Sequence, residues 1–273
     1  MIDLQIHTTA TPHHATWEPE ALVLAAKKVG LSIIAVTDHN TTASVRATQA
    51  AGEQHGIIVI PAVEIDSGFN GKCWHTLVYG VAPDDPALLA LCRAVFERNA
   101  EDAARLQTKL AAQGFALPNF EELGRPPNVA EVGAALARHN HLLGRQQSED
   151  DESAGMRFIL TQLPGGYNPI GVDNIISVAH ASGGVAVLAH PGRSKSIYAI
   201  PATAADIADM AEAGLDGIEV WYPTHSDEQR HFYAALAQQH SLLVTGGSDS
   251  HGPHQPLAQW PDEACQIFLE RII

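Results

Sequence analysis

Residues 2–9 read IDLQIHTT, a short apolar strand that ends in polar side chains. Gln5 and His7 are two positions apart, so their side chains share one face of the strand. A His at both positions would form a metal-binding pair, whereas the first position here is Gln. By itself the segment fits a metal site, a damaged metal site or an ordinary strand end, and the rest of the chain has to decide between them.

Short apolar blocks like this one recur along the chain, and helix-like segments lie between them. The predicted strands, each rich in Val, Ile or Leu, are 2–6, 33–37, 57–63, 75–81, 185–189, 217–221 and 242–246. The predicted helices between them are 18–29, 42–55, 172–182, 203–213 and 226–239. Strands that alternate with helices are typical of the α/β class, with a parallel sheet or barrel joined by right-handed crossovers.

Residues 99–171 interrupt this alternation. The predicted elements around them are a long Ala- and Leu-rich helix at 87–113, helical pieces near 119–123 and 129–140, and a polar segment with glycines at 144–168. No strong strand pattern is present there. We therefore predict one barrel domain formed by residues 1–98 and 172–273, with a mainly helical insertion or cap at 99–171.

The formal charge of the chain is −15, from 16 basic and 31 acidic residues. An acidic surface of this kind argues against binding to duplex nucleic acid or to a membrane surface. It leaves room for a small anionic substrate, because bound divalent cations reverse the sign of the field locally. Nothing in the composition indicates an oligomeric state.

The three cysteines, Cys73, Cys92 and Cys265, are widely spaced and form no CxxC pair. This usage predicts small buried side chains in a reducing compartment rather than disulfides. No apolar run approaches the ~20 residues that span a bilayer, and the N-terminal strand has no basic leader. The expected location is the cytoplasm.

Polar residues, mostly His and carboxylates, follow nearly every predicted strand. They are His7 with His13 and His14, Asp38 with His39, Glu64, His190 with Arg193, Glu219 with His225, and Asp249 with His251. His75 lies instead at the beginning of its apolar run. Because the carboxyl ends of the strands meet at one edge of an α/β sheet or barrel, these side chains are expected to converge.

Each of these residues alone has an ordinary structural interpretation. Asp38 suits a helix N-cap, residues 246–249 suit a turn, and a single His at a strand end is usually at the surface. A converging set is different, since imidazoles and carboxylates are costly to bury together unless cations neutralise them. His, Asp and Glu without thiolates suit Mn²⁺, Fe²⁺ or Zn²⁺, and about eight such ligands imply two or three ions.

Six motifs in order resemble the PHP family, named for polymerase and histidinol phosphatase domains. They are DLQIHTTATPHH, AVTDHN, AVEID, WHTLVYG, VLAHPGR and GGSDSHG, spread over residues 1–81 and 175–252. The resemblance implies a distorted seven-stranded (β/α) barrel, a trinuclear metal site and hydrolysis of a small anionic phosphorylated substrate. The insertion after HTLVYG resembles that of the subgroup that dephosphorylates small nucleotides, such as nucleoside 3′,5′-bisphosphates.

The resemblance also implies metal ligands residue by residue. One ion would take His7, Glu64 and Asp249; a second would share Glu64 and add His75 and His190; a third would take His13, or else His14, with His39 and His251. Asp38 would orient a ligand or a neighbouring backbone group, and its interpretation as an N-cap stays equally open.

The chain departs from the family pattern at two places. Gln5 stands where the family usually has His, and a Gln carbonyl is a poorer ligand than imidazole for Zn²⁺ or Mn²⁺. The insertion reads NVAEVGAALARH at 128–139 and lacks the Arg of the Arg-x-His motif that is common in the nucleotide-cleaving subgroup. The specific nucleotide substrate is therefore open.

Two residues beyond the ligands are candidates for catalysis and substrate binding. Arg193 in HPGR matches the family and is expected to bind a phosphate oxygen bidentately. His225 has two interpretations, one as the acid that protonates the leaving group and one as a residue that shapes the rim of the pocket.

Three functional hypotheses follow from these residues. The leading one is a metal-dependent phosphoesterase, in which a hydroxide that bridges two metals attacks phosphorus and the insertion selects the leaving group. Gln5 motivates a second, a degenerate PHP domain with a binding or regulatory role. The third is a polymetallic amide or lactone hydrolase, because such barrels are not confined to phosphorus chemistry.

Overall fold

The computed structural model describes residues 1–11, 15–194 and 201–273. In these ranges the strands are β1 (Ile2–Ile6), β2 (Ile33–Val36), β3 (Ile58–Phe69), β4 (Lys72–Tyr79), β5 (Ile170–Gly171), β6 (Val185–Leu188), β7 (Gly217–Trp221) and β8 (Leu243–Gly246). The α-helices there are α1 (Pro19–Lys28), α2 (Val45–His55), α3 (Pro86–Ala112), α4 (Val129–His139), α5 (Asp151–Gln162), α6 (Val172–Ala181), α7 (Ala204–Glu212), α8 (Asp227–His240) and α9 (Gln266–Ile272).

The strands form one sheet in the order β1-β2-β3-β4-β6-β7-β8, and the short β5 pairs with β3 at the side of this path. The regular pairings stop at β1 and β8. Backbone hydrogen bonds from Asp249 N to Gln5 O (2.9 Å) and from His7 N to Ser250 O (2.9 Å) nevertheless place the segment after β8 beside β1. The prediction of an α/β fold with helices between the strands is confirmed.

One strand runs against the predicted parallel direction. β4 pairs antiparallel with both β3 and β6. The hairpin between β3 and β4 turns at Asn70 and Gly71, which both have positive φ (49° and 73°), as a tight two-residue hairpin turn requires. Sequence periodicity does not report strand direction, and β3 is also longer than the predicted 57–63.

The first compact unit comprises Met1–Arg93, Gly171–Arg193 and Pro201–Ile273. Ile2, Leu4, Leu77 and Val187 pack together on the inner face of the sheet in one buried cluster. A second cluster joins the outer face of β1 and β2 to α1 and α2. The strands β2 and β6 are buried along their whole length, which explains their continuous apolar sequences, IIAV and VAVL.

The main part of the second compact unit is Ala94–Ile170. It contains α5, which lies within the polar segment 144–168, where the sequence predicts no helix. Asp150 starts this helix by accepting a hydrogen bond from Ser153 N (2.6 Å). A Cβ on Gly155 would clash with the backbone of Gly133 in α4, so the close packing of α4 and α5 requires a glycine there. In the sequence alone, this glycine resembles a loop residue. The predicted domain boundaries, 1–98 with 172–273 and 99–171, remain a prediction.

Among the helices that the structure describes, none is long and apolar enough to cross a membrane. Cys73, Cys92 and Cys265 are all free thiols.

Candidate metal centre

Glu64 stands at the centre of a ring of polar side chains on the inner face of the sheet. Its carboxylate is fully buried, and each oxygen faces a different pair of residues. Oε2 accepts from Gln5 Nε2 at 2.9 Å and lies 3.0 Å from His7 Nε2. Oε1 lies 2.7 Å from His75 Nδ1 and 3.2 Å from His190 Nε2. A carboxylate with imidazoles on both oxygens has the arrangement of a bridging ligand between two cations.

A bulge in β1 directs Gln5 and His7 toward Glu64. Asp3 pairs with Ile34 and Ile6 with Val36, so β1 uses one more residue than β2 over this stretch. Leu4 therefore packs in the inner cluster, while Ile6 packs on the outer face with α1. Bulges commonly re-aim a side chain in this way beside a functional site.

The antiparallel direction of β4 explains the position of His75. In a parallel strand, a His near the start of the strand would lie at the opposite edge of the sheet from Glu64. Because β4 runs the other way, His75 is in register with Asp66, just beyond Glu64 on β3. The unusual placement of His75 at the beginning of its apolar run therefore brings it into the ring.

Asp249 joins the ring from the turn after β8. Its Oδ1 lies 3.1 Å from His7 Nε2, and its Oδ2 accepts a 3.0 Å hydrogen bond from the Tyr222 hydroxyl. Both Asp249 and His190 have positive φ, 56° and 29°, a conformation that is costly for residues with side chains. Such strain persists only where the surroundings enforce it, and it clusters at functional sites.

His39 and His251 complete the set beside His7. The His7 ring stacks on both, with ring centroids 4.7 Å from His39 and 4.1 Å from His251. Among the residues that the structure describes, three groups have ligand atoms within 4.8 Å of one another, so each could hold a cation. They are His7 with His39 and His251; His39 with Glu64 and His75; and His7 with Glu64 and Asp249.

The electrostatics of the ring favour a bound cation. Burial opposes charge on His7, but the Asp249 and Glu64 carboxylates outweigh it and raise its pKa to about 10. Burial also opposes ionisation of Glu64, yet the imidazoles of His39, His75, His190 and His7 hold its pKa well below the ordinary value. The proton on His7 thus lies between the carboxylates of Glu64 and Asp249, and a metal cation would suit the same position.

Two other imidazoles are held neutral. Burial is the main cause that lowers the pKa of His190 and of His251, each to about 4. Neutral imidazole with a free nitrogen lone pair is the form that binds a metal. This charge pattern fits metal ligands.

Asp38 holds the loop that carries His7 in place. It accepts hydrogen bonds from Thr8 N (2.6 Å), Thr11 Oγ1 (2.7 Å) and the Ser44 hydroxyl. Because Thr11 gives its only hydroxyl proton to Asp38, it accepts from His7 Nδ1 at 3.2 Å, which leaves His7 Nε2 facing the carboxylates. The N-cap position of α2 belongs to Ser44, so Asp38 acts as an orienting residue and not as the cap.

One side-chain atom of Gln5 has no hydrogen-bond partner among the residues that the structure describes. Its Nε2 donates to Glu64, while Oε1 is buried and is the atom without a partner there. A buried orphan carbonyl costs free energy, and a cation beside the ring would satisfy it. The residues present therefore fit a metal centre at this position.

The predicted site residues fall into three groups. His7, His39, Glu64, His75, His190, Asp249 and His251 are brought together in the ring. His13 and His14 lie outside the residues that the structure describes. The other two are nearby: Arg193 Nη1 is 3.5 Å from Asp249 Oδ2, and His225 bonds through both ring nitrogens to backbone groups at Val220 and Gly192.

Two neighbours of the ring were missed from sequence. Asp66 Oδ1 lies 3.5 Å from His39 Nδ1 and 3.6 Å from His75 Nε2, and the Tyr222 hydroxyl donates to Asp249 Oδ2. Glu219, one of the predicted strand-end carboxylates, accepts from the His190 backbone N–H. Asp66 could have been found from the sequence, because it lies two residues after Glu64 on the same strand and its side chain therefore shares the face of Glu64. Tyr222 carried no comparable signal.

The family model of the PHP domain matches residues 3–142. The chain belongs to the PHP family. Its members are metal-dependent phosphoesterases, which confirms the resemblance seen in the sequence and places the chain among the hydrolases of phosphoric esters.

Several relatives align over nearly the whole chain. A phosphoribosyl 1,2-cyclic phosphate 1,2-diphosphodiesterase from Eggerthella lenta is 32% identical over 92% of this chain and 94% of its own length. A 3′,5′-nucleoside bisphosphate phosphatase from Chromobacterium violaceum is 28% identical, covering 92% and 87%. A 5′-3′ exoribonuclease from Escherichia coli is 31% identical, covering 92% and 85%.

Two solved structures share the fold. A protein from Bifidobacterium adolescentis described as a metal-dependent phosphoesterase superposes with a TM-score of 0.71 at 25% identity, over 100% of this chain and 96% of the other. A protein from Chromobacterium violaceum described as an amidohydrolase, with bound sulfate and no metal, superposes with a TM-score of 0.72 at 26% identity, over 99% and 95%.

Proposed function

We propose that this protein hydrolyses a small phosphomonoester with the help of two or three divalent cations, Mn, Fe or Zn. The observation that carries the proposal is the buried Glu64, whose two oxygens face His7 on one side and His75 with His190 on the other. Cations bound on both sides of such a carboxylate would activate water and neutralise phosphate charge.

The chain's own residues would divide the binding of these cations. His7, Glu64 and Asp249 would hold one, and His75 and His190 would hold a second on the other oxygen of Glu64. His39 and His251 would hold a third, completed by His13. The hydrogen bonds from Asp38 through Thr11 would orient the His7 ring and leave Nε2 as the ligand atom.

Arg193 would bind the phosphoryl group. Its guanidinium is partly exposed and lies 3.5 Å from Asp249, so a phosphate held at the ring is within its reach. The planar fork of Arg suits two phosphate oxygens and keeps its charge at every working pH. Binding there would align phosphorus with the ring and stabilise the charge that builds up during attack.

The proposed substrate is a small phosphorylated metabolite of the nucleotide type. Relatives that align over most of their length are named for a nucleoside bisphosphate, a cyclic ribosyl phosphate and an RNA end. All of these present a phosphate near a ribose. The net charge of −15 disfavours duplex nucleic acid as a substrate.

The proposal is tested with protein purified without chelator and analysed for Mn, Fe and Zn by elemental analysis. A panel of nucleoside bisphosphates, nucleoside monophosphates, sugar phosphates, histidinol phosphate, short RNA and simple amides is then assayed for hydrolysis. We expect bound metal and phosphate release that stops with chelator and returns with metal. Metal-free protein, or release from amides alone, would contradict the proposal.

Gln5 favours one alternative function, a degenerate domain that binds a ligand without turnover. It stands at a position where the family usually has a metal-binding His, and here it donates to Glu64. The substrate panel separates the two functions, because a degenerate domain would bind metal weakly and release no phosphate from any compound. The third reading, an amide or lactone hydrolase, is tested by the amides in the same panel.

A further inference from the structure

The four residues from His190 to Arg193 form a tight turn directly after β6. The Arg193 N–H donates to His190 O at 2.9 Å and closes the turn. Pro191 and Gly192 occupy the two central positions, and Pro there presets the backbone angle φ. This turn carries a proposed metal ligand at one end and the proposed phosphate-binding Arg at the other.

Side chains from β7, α8 and the loop between them hold the backbone of this turn. Glu219 Oε2 accepts from His190 N at 2.9 Å, and Tyr233 donates to Pro191 O at 2.9 Å. Gly192 is held on both sides: its N–H donates to His225 Nε2 at 2.9 Å, and its carbonyl accepts from Gln229 Nε2 at 2.8 Å. Every backbone polar group from the His190 N–H to the Arg193 N–H is therefore paired.

The fit at Gly192 is close. A Cβ at this position would lie 2.7 Å from His225 Cδ2 and 2.9 Å from Gln229 Nε2. His225 itself is buried, and its Nδ1 lies 2.9 Å from the carbonyl of Val220. The ring thus stands between the end of β7 and the turn and contacts both.

These contacts define the protonation of His225. Val220 O can only accept, so Nδ1 carries the proton; Gly192 N–H can only donate, so Nε2 carries the lone pair. Both nitrogens of the neutral ring are thereby engaged with backbone groups. A role as proton donor to a leaving group would require the ring to break the bond that holds Gly192.

We propose that His225, with Gln229, is a positioning residue that holds the His190–Arg193 turn so that Arg193 meets the phosphate. The inference rests on the proposed phosphoesterase function and assigns His225 no direct contact with substrate. It replaces the interpretation of His225 as the acid that protonates the leaving group.

The two roles differ in their dependence on the leaving group. An acid matters most when the leaving oxygen is basic, as in an alkyl phosphate, and least for p-nitrophenyl phosphate. A misplaced Arg193 affects both substrates alike, because it binds the phosphoryl group that they share. Loss of a buried hydrogen bond corresponds to about tenfold in kcat/KM.

The deciding variants are His225→Ala and His225→Gln. The Gln amide presents an oxygen near the place of Nε2 and restores the acceptor for Gly192 N–H, but it cannot donate a proton as an acid does. The metal content of each protein is first checked to be equal. We then expect His225→Ala to lower kcat/KM about tenfold for both the alkyl phosphate and p-nitrophenyl phosphate, and His225→Gln to recover most of that loss. Exposed His231 on α8 supplies the matched control, His231→Ala, which is expected to behave as wild type.

A double-mutant cycle adds a second readout. If His225 acts through Arg193, adding His225→Ala to Arg193→Ala causes little further loss, whereas an independent acid would give additive losses. Should His225→Ala fail to fold, Gln229→Glu takes its place, since it keeps the acceptor for Ser226 N at the start of α8 but removes the donor to Gly192 O. It is expected to show the same substrate-independent loss.

Calorimetric binding of inorganic phosphate separates failure of this inference from failure of the proposed function. Phosphate affinity that falls in Arg193→Ala and His225→Ala and recovers in His225→Gln supports the inference even if no substrate turns over. Equal losses in the Ala and Gln variants, a loss confined to the alkyl phosphate, or phosphate affinity that is unchanged in His225→Ala would overturn it.

Discussion

The side-chain amide of Gln5 donates a 2.9 Å hydrogen bond to Oε2 of Glu64, the same oxygen that faces His7. Gln5 therefore contacts the candidate metal centre, although an amide is a poorer metal ligand than imidazole. Its hydrogen bond directs one oxygen of Glu64, and its own buried carbonyl oxygen has no partner within the described ranges 1–11, 15–194 and 201–273.

Replacing Gln5 by His tests whether this site is a working variant or a degenerate one. Imidazole is a better ligand than an amide for Zn²⁺ or Mn²⁺, so Gln5→His is expected to retain metal more firmly during dialysis against chelator. For a working site we expect kcat/KM to stay within about threefold of wild type, which corresponds to a change of less than about 1 kcal/mol in activation free energy. A gain of several orders of magnitude would instead identify the natural site as degenerate.

Glu64→Gln is expected to be the most damaging single change in the ring. It removes the charge that both groups of imidazoles face while keeping the shape of the side chain. We expect loss of most bound metal by elemental analysis and a fall in kcat of at least about 10³-fold, as expected for loss of metal-dependent electrostatic stabilisation. Glu53→Gln on the exposed face of α2 removes the same charge and is the control. Full metal content in Glu64→Gln would exclude a bridging role.

Asp66→Asn tests the carboxylate that faces His39 and His75. Carboxylates behind metal-binding His rings orient them, and their loss typically costs about 10- to 100-fold in metal affinity. We expect weaker metal retention in a chelator competition assay, with the fold preserved by circular dichroism. Asp84→Asn on the surface, where Asp84 pairs with Arg46, is the charge-matched control. Equal affinities in the two variants would contradict this role for Asp66.

Metal binding is expected to release protons at neutral pH. The pKa of His7 is raised to about 10, so this ring carries a proton in the metal-free protein at neutral pH, whereas His190 and His251, with pKa values of about 4, do not. A cation must displace the proton of His7, so apparent affinity should increase with pH up to about 10. We expect about one proton, that of His7, to be released at pH 8, measured by titration in weak buffer. No release would contradict the charge assignment.

The same shift predicts how stability changes with pH once the metal is removed. His7 titrates near 6.5 when unfolded and near 10 when folded, so its stabilising contribution is complete below pH 6.5 and is lost as the pH rises through 10. Chelated protein should therefore unfold at lower urea concentration at pH 9.5 than at pH 6.5, and added metal should reduce this difference. A urea midpoint of unfolding that rises from pH 6.5 to pH 9.5 would contradict this prediction.

Much of the fold was predictable because its signals are local. The strands β1 and β7 have the predicted bounds, since short runs of Val, Ile and Leu between turn residues identify strands buried on both faces. The helix α5 was not predicted, because its Gly155 resembles a loop residue until it is seen against Gly133. The direction of β4 was also missed, as a strand's pattern is the same in either direction.

For the site, the sequence determined the chemistry and the tertiary structure decided the geometry. The strand ends must meet at one edge of the sheet, so the residue types there predicted a cluster of His and carboxylates. The resemblance to the PHP family then implied His7, Glu64 and Asp249 as ligands of one ion. Only the folded chain shows which oxygen of Glu64 faces which imidazole and that His225 is bonded on both sides to backbone. Those features depend on a bulge in β1, an antiparallel β4 and contacts between residues far apart in the chain, none of which leaves a periodic trace in the sequence.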